Sequence, residues 1–299
     1  MTLAIEVEGL RVRYRSQERD AVDGLTLTLE GGKVYGLLGR NGAGKTTVLS
    51  VLAAFRRPTA GSVRIGGRPV FENPAVTREV CLVPDGDAGG EPRWRSENVG
   101  DVLDLAACLR PRWDVDYAHH LLARFGIPNN MAVKALSRGK QAAVRIVVGL
   151  ASRAAVTMFD EPHLGLDAPS RLVFYDELLA DFMAHPRTIV LSTHLIEEVA
   201  GLFEQVVIID QGRLVAHRDV EGLCAQGAAV TGPVEAVDRF TEGLRVLNDK
   251  TLGPTKAVMV YGELDAARRA QARRAGLEVG PVALQDLFVH LTEPSETPR

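Results

Sequence analysis

The segment with the clearest chemistry is a glycine-rich run that ends in a lysine and a threonine. Residues 39–46 read Gly-Arg-Asn-Gly-Ala-Gly-Lys-Thr and fit the pattern G-x-x-x-x-G-K-[ST]. In such a loop the backbone amides surround phosphate oxygens, and the N-terminus of the next helix faces their negative charge. Lys45 is placed to reach the outer phosphates and the Thr46 hydroxyl to ligate Mg²⁺. The run therefore predicts a site for a nucleoside triphosphate with Mg²⁺.

A pair of acidic residues supplies the second group that such a reaction needs. Asp160 and Glu161 directly follow the apolar run Val156–Phe159. A strand of a parallel sheet delivers the residues after it to the carboxyl edge of the sheet, where these folds bind ligands. One carboxylate is placed to hold Mg²⁺ and the other to polarise the attacking water. An acidic pair alone is weak evidence of a site, but a preceding phosphate loop makes it strong.

The elements that must position these groups alternate between short apolar strands and helices, the pattern of a mostly parallel sheet flanked by helices. Four candidate strands are nearly all apolar, as central strands buried on both faces should be. The predicted strands are Leu3–Val7, Leu25–Leu29, Val34–Leu38, Val63–Ile65, Val80–Val83, Val156–Phe159, Thr188–Ser192 and Val206–Asp210.

The strand signal is absent from Ser96 to about Arg153, which predicts a helical insert within the α/β core. Ser96 is a candidate N-cap for a first helix of this insert, and a second helix is expected over Tyr117–Phe125. Gly227, Gly232 and Pro233 are interpreted as a linker to a small tail of mixed strands and helix. The expected domains are residues 1–222, with a helical subdomain at about 90–152, and an accessory α+β domain at 227–299.

Composition narrows the class of protein. The net charge is −3, which argues against a strongly basic nucleic-acid binder, and no nucleic-acid partner is expected. The three cysteines are scattered and show no metal-binding spacing, as in a reduced cytoplasmic protein. Neither a signal peptide nor a stretch long enough to span a membrane is apparent.

Five motifs in order make the sequence resemble an ATP-binding cassette ATPase over about residues 3–220. Besides the phosphate loop and the acidic pair, Leu136–Lys140 stands where the family has its Leu-Ser-Gly-Gly-Gln signature. Leu164–Asp167 resembles the family's D-loop, and Ser192–His194 resembles the segment of its switch histidine. The fold that the resemblance implies is a P-loop NTPase core with a mostly parallel sheet, an antiparallel β edge and a helical insert subdomain.

The resemblance also assigns residues to roles in binding and hydrolysing ATP. Glu161, as the base, His194 and Lys45 are the expected catalytic residues. Mg²⁺ is expected at Thr46, Asp160 and Asp85. Tyr14 stands where the family places an aromatic residue against adenine. The expected nucleotide-binding residues are Tyr14, Gly39, Arg40, Asn41, Gly42, Ala43, Gly44, Lys45, Thr46, Thr47, Ser137, Gly139 and Asp167.

Two departures from the family pattern, in the signature and at Asp85, leave questions open. Arg138 and Lys140 replace two signature residues and are interpreted as contacts either to nucleotide or to a partner. Asp85 stands where the family usually has glutamine, in the loop that links nucleotide to the transporter subunit. His163 stands where the family often has threonine, and no catalytic role is assigned to it.

The implied function is that of the ATP-hydrolysing subunit of a transporter, most similar to small exporter ATPases. In the family, the signature of one cassette closes over the nucleotide of the other, so the expected partners are a second cassette and an integral-membrane permease. The subunit would be cytoplasmic and peripheral on the inner face of the membrane. The sequence leaves open the cargo, the choice between homodimer and heterodimer, and the role of the tail. The alternatives are a soluble cassette that acts on ribosomes or DNA, and a nucleotide sensor without useful turnover.

Overall fold

The computed structural model describes residues 2–15, 18–85, 96–262 and 264–292. The chain forms two compact units. The first comprises Met1–Leu195 with Gly201–His217, and the second comprises Ile196–Ala200 with Arg218–Arg299. The two domains expected from the sequence, residues 1–222 and 227–299, remain a prediction, since this division into units does not test them.

Each predicted strand overlaps a strand of the first unit, within one residue for five of the eight, whereas Leu3–Val7, Leu25–Leu29 and Val63–Ile65 differ by several residues from the observed strands. The observed strands are β1 Ile5–Arg13, β2 Asp20–Leu29, β3 Val34–Leu38, β4 Ala60–Ile65, β5 Arg68–Pro69, β6 Val80–Val83, β7 Val156–Asp160, β8 Thr188–Thr193, β9 Gln205–Asp210 and β10 Arg213–Asp219. Strands β5 and β10 have no counterpart among the predicted strands, and β10 runs on two residues past the end of this unit. The helices of this unit are α1 Lys45–Leu52, α2 Pro74–Thr77, α3 Val99–Leu109, α4 Val115–Arg124, α5 Arg138–Ala151 and α6 Ala168–Ala184.

The central sheet has the order β10-β9-β3-β8-β7-β6. Strands β9, β3, β8, β7 and β6 run parallel to one another, and β3, β7 and β8 are buried along their whole length. The register pairs Leu38 with Thr193 and Asp160 with Ser192. The carboxyl ends of β3, β7 and β8 therefore meet at one edge, and the residues that follow them form the site.

A second, antiparallel sheet has the order β2-β1-β4-β5 and forms the predicted antiparallel β part of the core. One continuous apolar cluster joins the two sheets through α1, with Leu10, Leu49, Met158 and Val190 among its members. Burial of this cluster fixes the start of α1 against the central sheet, and with it the loop that precedes α1. The predicted α/β class is confirmed.

The predicted helical insert consists of α3, α4 and α5. Asn98, not Ser96, is the N-cap of α3, so the cap prediction is wrong by two residues. The second helix begins at Val115 because the Asp114 carboxylate accepts a hydrogen bond from the Tyr117 amide at 2.8 Å and caps it.

The second unit contains a split β-α-β motif. Its elements are α7 Ile196–Val199, α8 Val220–Cys224, β11 Gly227–Pro233, α9 Val234–Thr241, β12 Arg245–Leu252, β13 Thr255–Tyr261, α10 Ala266–Arg274, β14 Glu278–Pro281 and α11 Leu284–Thr292. The order β12-β13-β11-β14, with α9 and α10 packed on the sheet, is the ferredoxin-like arrangement β-α-β-β-α-β.

The predicted linker at 227–233 is wrong, because this segment is β11, a central strand of that sheet. A Cβ on Gly232 would lie 2.5 Å from Leu277 Cδ2, so the glycine makes room for close packing rather than marking a flexible joint.

Candidate active site

The loop of residues 39–44 connects the end of β3 to the start of α1, as the sequence predicts. Gly44 has φ +103° and is the N-cap of α1. A Cβ at Gly44 would lie 2.5 Å from the Ala21 carbonyl oxygen, so a side chain is excluded there. The Gly212 amide donates to the Ala43 carbonyl at 3.0 Å and ties the loop to the segment after β9. These contacts fix the loop at the N-terminus of α1, where backbone amides can bind an anion.

The ammonium group of Lys45 is almost fully buried beneath this loop. Nζ donates to the Gly39 carbonyl at 2.6 Å and lies 3.1 Å from Oε1 of Glu161. The structure therefore brings together the cation predicted for the phosphates and the carboxylate predicted to activate water. A buried charge of either sign is costly without its partner, so the pair stabilises both residues in these positions.

Glu161 has a backbone conformation that few residues of its type adopt. Its φ is +46°, in the left-handed region, and its amide donates to the Ser192 carbonyl at 3.0 Å. Such a conformation costs about 1–3 kcal/mol and persists where the surroundings enforce it. The strained turn directs the carboxylate away from β7, where Oε2 accepts a hydrogen bond from His194 Nδ1 at 2.8 Å.

His163 is a site residue that sequence reasoning did not assign. Its Nε2 lies 3.4 Å from Oε2 of Glu161, its Nδ1 lies 3.4 Å from the Thr193 hydroxyl, and the residue is buried. The rings of His163 and His194 meet edge to face, with centroids 4.9 Å apart. Its position directly after Asp160-Glu161-Pro162 was the available signal. The turn after Glu161 reverses the chain and brings this side chain back onto the carboxylate.

Asp160 has the properties of a cation ligand. Its side chain is buried, and Oδ1 has no hydrogen-bond partner among the described residues. Burial raises the pKa of Asp160, while the Thr46 and Ser192 hydroxyls lower it and the nearby Glu161 and Asp85 carboxylates raise it. A buried carboxylate oxygen without a donor, beside a threonine hydroxyl, is the oxygen donor set that Mg²⁺ prefers. The residues present therefore fit the predicted Mg²⁺.

Lys45, Thr46, Glu161 and His194 line an open cavity of about 1720 Å³, whereas Gly39, Asp160 and His163 are not among the described residues that line it. Tyr14 lies on its wall, where the phenol oxygen is 3.0 Å from Thr47 Oγ1 and the Arg56 guanidinium covers the ring at 4.1 Å from its centroid. The predicted site residues in the lining are Tyr14, Arg40, Asn41, Gly42, Ala43, Gly44, Lys45, Thr46, Thr47, Asp85, Glu161 and His194.

The model of the family described as "ABC transporter" matches residues 22–164. Over its full length the chain resembles the "Daunorubicin resistance ATP-binding protein DrrA3" of Streptomyces coeruleorubidus, with 31% identity covering 97% of this chain and 96% of the relative. The chain belongs to the ABC transporter family. Within this family it is an ATP-binding, ATP-hydrolysing subunit, and the relatives favour a role in transport over action on ribosomes or DNA.

Other relatives agree with this assignment. A "Nod factor export ATP-binding protein I" of Ralstonia nicotianae is 35% identical over 72% of this chain and 67% of its own length. The "ABC transporter ATP-binding protein NatA" of Bacillus subtilis is 31% identical over 68% of this chain and 83% of its own length.

Solved ABC structures share the fold. The structure of an ATP binding subunit of an ABC transporter has a TM-score of 0.64 at 23% identity, covering 73% of this chain and 91% of that one. A dimeric ATP-binding cassette in a post-hydrolysis state, bound to ADP and Pi, has a TM-score of 0.63 at 19% identity, covering 72% and 98%. At these identities the likeness establishes the fold of the ABC cassette and nothing more.

The ABC signature lies apart from the phosphate loop of the same chain. Ser137, Gly139 and Asp167 are not among the described residues that line the cavity. The Ser137 hydroxyl caps α5 by accepting from the Lys140 amide at 3.3 Å, and Asp167 caps α6 by accepting from the Ser170 amide at 2.9 Å. A Cβ on Gly139 would lie 2.7 Å from the Gly165 carbonyl oxygen, so the signature and the D-loop are in contact.

The two cations of the altered ABC signature differ in their surroundings. Lys140 Nζ donates to the Gly126 carbonyl at 2.8 Å, which connects α5 to the turn that follows α4. Arg138 is exposed at the first turn of α5. Of the two, Lys140 has a structural partner within its own chain.

Proposed function

We propose that this chain binds MgATP at the phosphate loop, hydrolyses it with Glu161 as the base, and does so in a site completed by the signature of a second cassette. The single observation that carries the proposal is the convergence of Lys45 and His194 on the Glu161 carboxylate, at 3.1 and 2.8 Å, in the wall of one cavity.

The loop amides and Lys45 would bind the β- and γ-phosphates. Phosphoryl transfer requires mostly positioning and neutralisation of charge, and a buried ammonium next to a helix N-terminus supplies both. The phosphates would replace Glu161 as the anion next to Lys45. Adenine would pack near Tyr14, on the part of the ring that Arg56 leaves accessible.

Glu161 would accept a proton from the attacking water once Lys45 has turned to the phosphates. His194 would hold the carboxylate through Nδ1 and bond the γ-phosphate through its other ring nitrogen, because its side chain is 42% exposed toward the cavity. A carboxylate oriented in this way by a histidine is a suitable general base.

Mg²⁺ would be held by Asp160 and Thr46, with Asp85 next to it in the cavity wall. The cation neutralises charge that develops on the phosphate oxygens. Asp160 is the main ligand in this proposal because it offers a buried oxygen without a donor, whereas Asp85 only lines the cavity.

A second cassette would supply Ser137, Gly139 and Asp167 to the nucleotide. The support is their placement: they lie together at the starts of α5 and α6, outside the cavity that holds the phosphate loop. Two cassettes facing each other would close each nucleotide between the loop of one and the signature of the other.

The dimer would drive the separate integral-membrane permease of an exporter, since relatives carry names of drug resistance and Nod factor export. No helix in the described ranges is long and apolar enough to cross a membrane. We place the subunit in the cytoplasm, on the inner face of the membrane through the permease.

The test is calorimetric titration of the full chain with ATP in Mg²⁺, alongside steady-state phosphate release. Binding and turnover by the wild type, with both lost in Lys45→Ala, are the expected results. Lys33→Ala is the matched control, because the Lys33 ammonium pairs with Glu30 and does not line the cavity; it should bind ATP normally. Wild-type protein that binds no adenine nucleotide would overturn the proposal.

A further inference from the structure

The side chains around Glu161 offer a second kind of metal site, distinct from the oxygen ligands of Mg²⁺. One ligand atom each from Glu161, His163 and His194 lies within 4.8 Å of the other two, and Oε2 of Glu161 contacts Nε2 of His163 and Nδ1 of His194. Two imidazoles and one carboxylate form a donor set typical of Zn²⁺ and similar transition-metal ions, whereas Mg²⁺ selects oxygen.

We infer that Zn²⁺, or a transition-metal ion of the same class, binds to Glu161, His163 and His194 and thereby inhibits ATP hydrolysis. Three protein ligands and one open position are the arrangement of an accessible zinc site. Here the open position faces the cavity, which Glu161 and His194 both line.

The two distances from the histidines to Glu161 are close to those around this ion, and the two imidazole nitrogens lie within 4.8 Å of each other. With bonds of about 2.0–2.2 Å, adjacent ligands of a tetrahedral zinc ion lie roughly 3.4 Å apart. His163 Nε2 lies 3.4 Å from Oε2 of Glu161, and His194 Nδ1 lies 2.8 Å from the same oxygen. A small opening of the His194 contact makes room for the ion, and His194 is the exposed and therefore more adjustable member.

The surroundings of His163 also match those of a metal ligand. Histidines that bind a metal through one ring nitrogen are held by a hydrogen bond at the other. The Thr193 hydroxyl lies 3.4 Å from His163 Nδ1, and it is itself fixed because it accepts from the Leu195 amide at 2.9 Å. The imidazole is thus oriented with Nε2 toward Glu161.

Inhibition follows from which side chains the ion would occupy. Zn²⁺ on Oε2 would withdraw electron density from the Glu161 carboxylate, which makes Oε1 a weaker base toward water, and would hold His194 away from the γ-phosphate. Lys45 and the loop amides are not ligands of this site, so ATP binding would continue. The inhibition rests on the proposed function, but the metal binding does not.

The experiment is calorimetric titration of the nucleotide-free full chain with ZnCl₂. We expect one ion per chain in the wild type, and in His163→Thr an affinity at least about 100-fold lower, since even loss of an outer partner costs about 10–100-fold. His119→Thr is the matched control, because it removes an exposed histidine of α4, and its Zn²⁺ affinity should be unchanged.

His163→Cys keeps the test valid if His163→Thr fails to fold, because a thiolate is also a zinc ligand. Retained Zn²⁺ binding in His163→Cys, with loss in His163→Thr, supports a ligand role that mere packing would not produce. Equal affinity in the wild type and in His163→Thr would overturn the inference.

A second measurement separates this inference from the proposed function. In excess MgATP, Zn²⁺ should lower the phosphate release of the wild type, a chelator should restore it, and His163→Thr should keep its own zinc-free rate. Zn²⁺ that binds through His163 without lowering the wild-type rate would contradict the inhibition alone. A wild type without ATPase activity would contradict the proposed function and leave the calorimetric result on Zn²⁺ intact.

Discussion

Lys45 Nζ lies 3.1 Å from Oε1 of Glu161, so the cation predicted to bind the phosphates and the carboxylate predicted to activate water are paired with each other. The pair is nearly buried, which makes each charge dependent on the other. Binding of ATP must therefore break one ion pair in order to form another, and the same exchange releases Glu161 for catalysis.

This exchange predicts that Glu161→Gln binds ATP more tightly than the wild type. The neutral amide competes less for Lys45, and a competing interaction of about 1 kcal/mol corresponds to roughly fivefold in affinity. Calorimetric titration with MgATP measures the difference. Weaker binding by Glu161→Gln would show that the carboxylate helps to hold the nucleotide rather than competing with it.

The dual role of Ser137 predicts that two substitutions at this position separate stability from activity. Ser137→Ala removes the cap of α5 and should cost about 1 kcal/mol of unfolding free energy, whereas Ser137→Asp keeps a capping oxygen and should cost little. Both should lose ATP hydrolysis, because the hydroxyl contact to the γ-phosphate is gone and aspartate adds a like charge. Denaturant unfolding and phosphate release measure the two effects. Normal hydrolysis by Ser137→Ala would remove the signature serine from the mechanism.

The position of the signature outside the cavity predicts association that depends on nucleotide. Glu161→Gln with MgATP should sediment as a dimer, since ATP bridges two cassettes and is not consumed. The same protein without nucleotide should be largely monomeric, as should Lys45→Ala with MgATP. Glu161→Gln that stays monomeric at saturating ATP would contradict the two-cassette site.

The tyrosine in β3 predicts a loss of stability in alkali. Burial raises the pKa of Tyr35 to about 12, against about 10 for an ordinary tyrosine. The unfolded chain therefore ionises first, so the contribution of Tyr35 is complete below about pH 10 and is lost as the pH rises to about 12. Two pKa units correspond to about 2–3 kcal/mol. Tyr35→Phe should lower the slope of unfolding free energy between these pH values; an unchanged slope would show that Tyr35 is not the group responsible.

Much of the first unit could be predicted from sequence because its central strands are apolar on both faces. The predicted strand Val34–Leu38 has the same bounds as β3. The predicted strands Val156–Phe159 and Thr188–Ser192 are each one residue shorter than the observed strands β7 and β8. The phosphate loop and the acidic pair could also be predicted, because each directly follows such an apolar strand and because its chemistry depends on residue types at fixed spacing.

The errors occurred where tertiary packing decides the structure. Gly227–Pro233 was interpreted as a linker, but its small residues pack closely in the second sheet, and the pairing partners lie about thirty residues further along the chain. Strand β10 shows little alternation between buried and exposed residues and is mostly exposed. It therefore lacks the run of apolar residues that marks the other strands in the sequence.

The contacts of His163 could not be predicted from its place in the sequence. They depend on the left-handed turn at Glu161 and on Thr193, which comes thirty residues later and reaches the same edge of the sheet through β8. Spacing identified the carboxylate, but only the fold shows what surrounds it.

The central claim is that Glu161 activates the water that cleaves ATP bound at the phosphate loop. Phosphate release by the purified chain at saturating MgATP, measured for the wild type and for Glu161→Gln, tests it most directly. The account predicts that the variant retains ATP binding and loses about 10²–10⁴-fold in turnover, the usual contribution of a general base. Turnover by Glu161→Gln at the wild-type rate would contradict it.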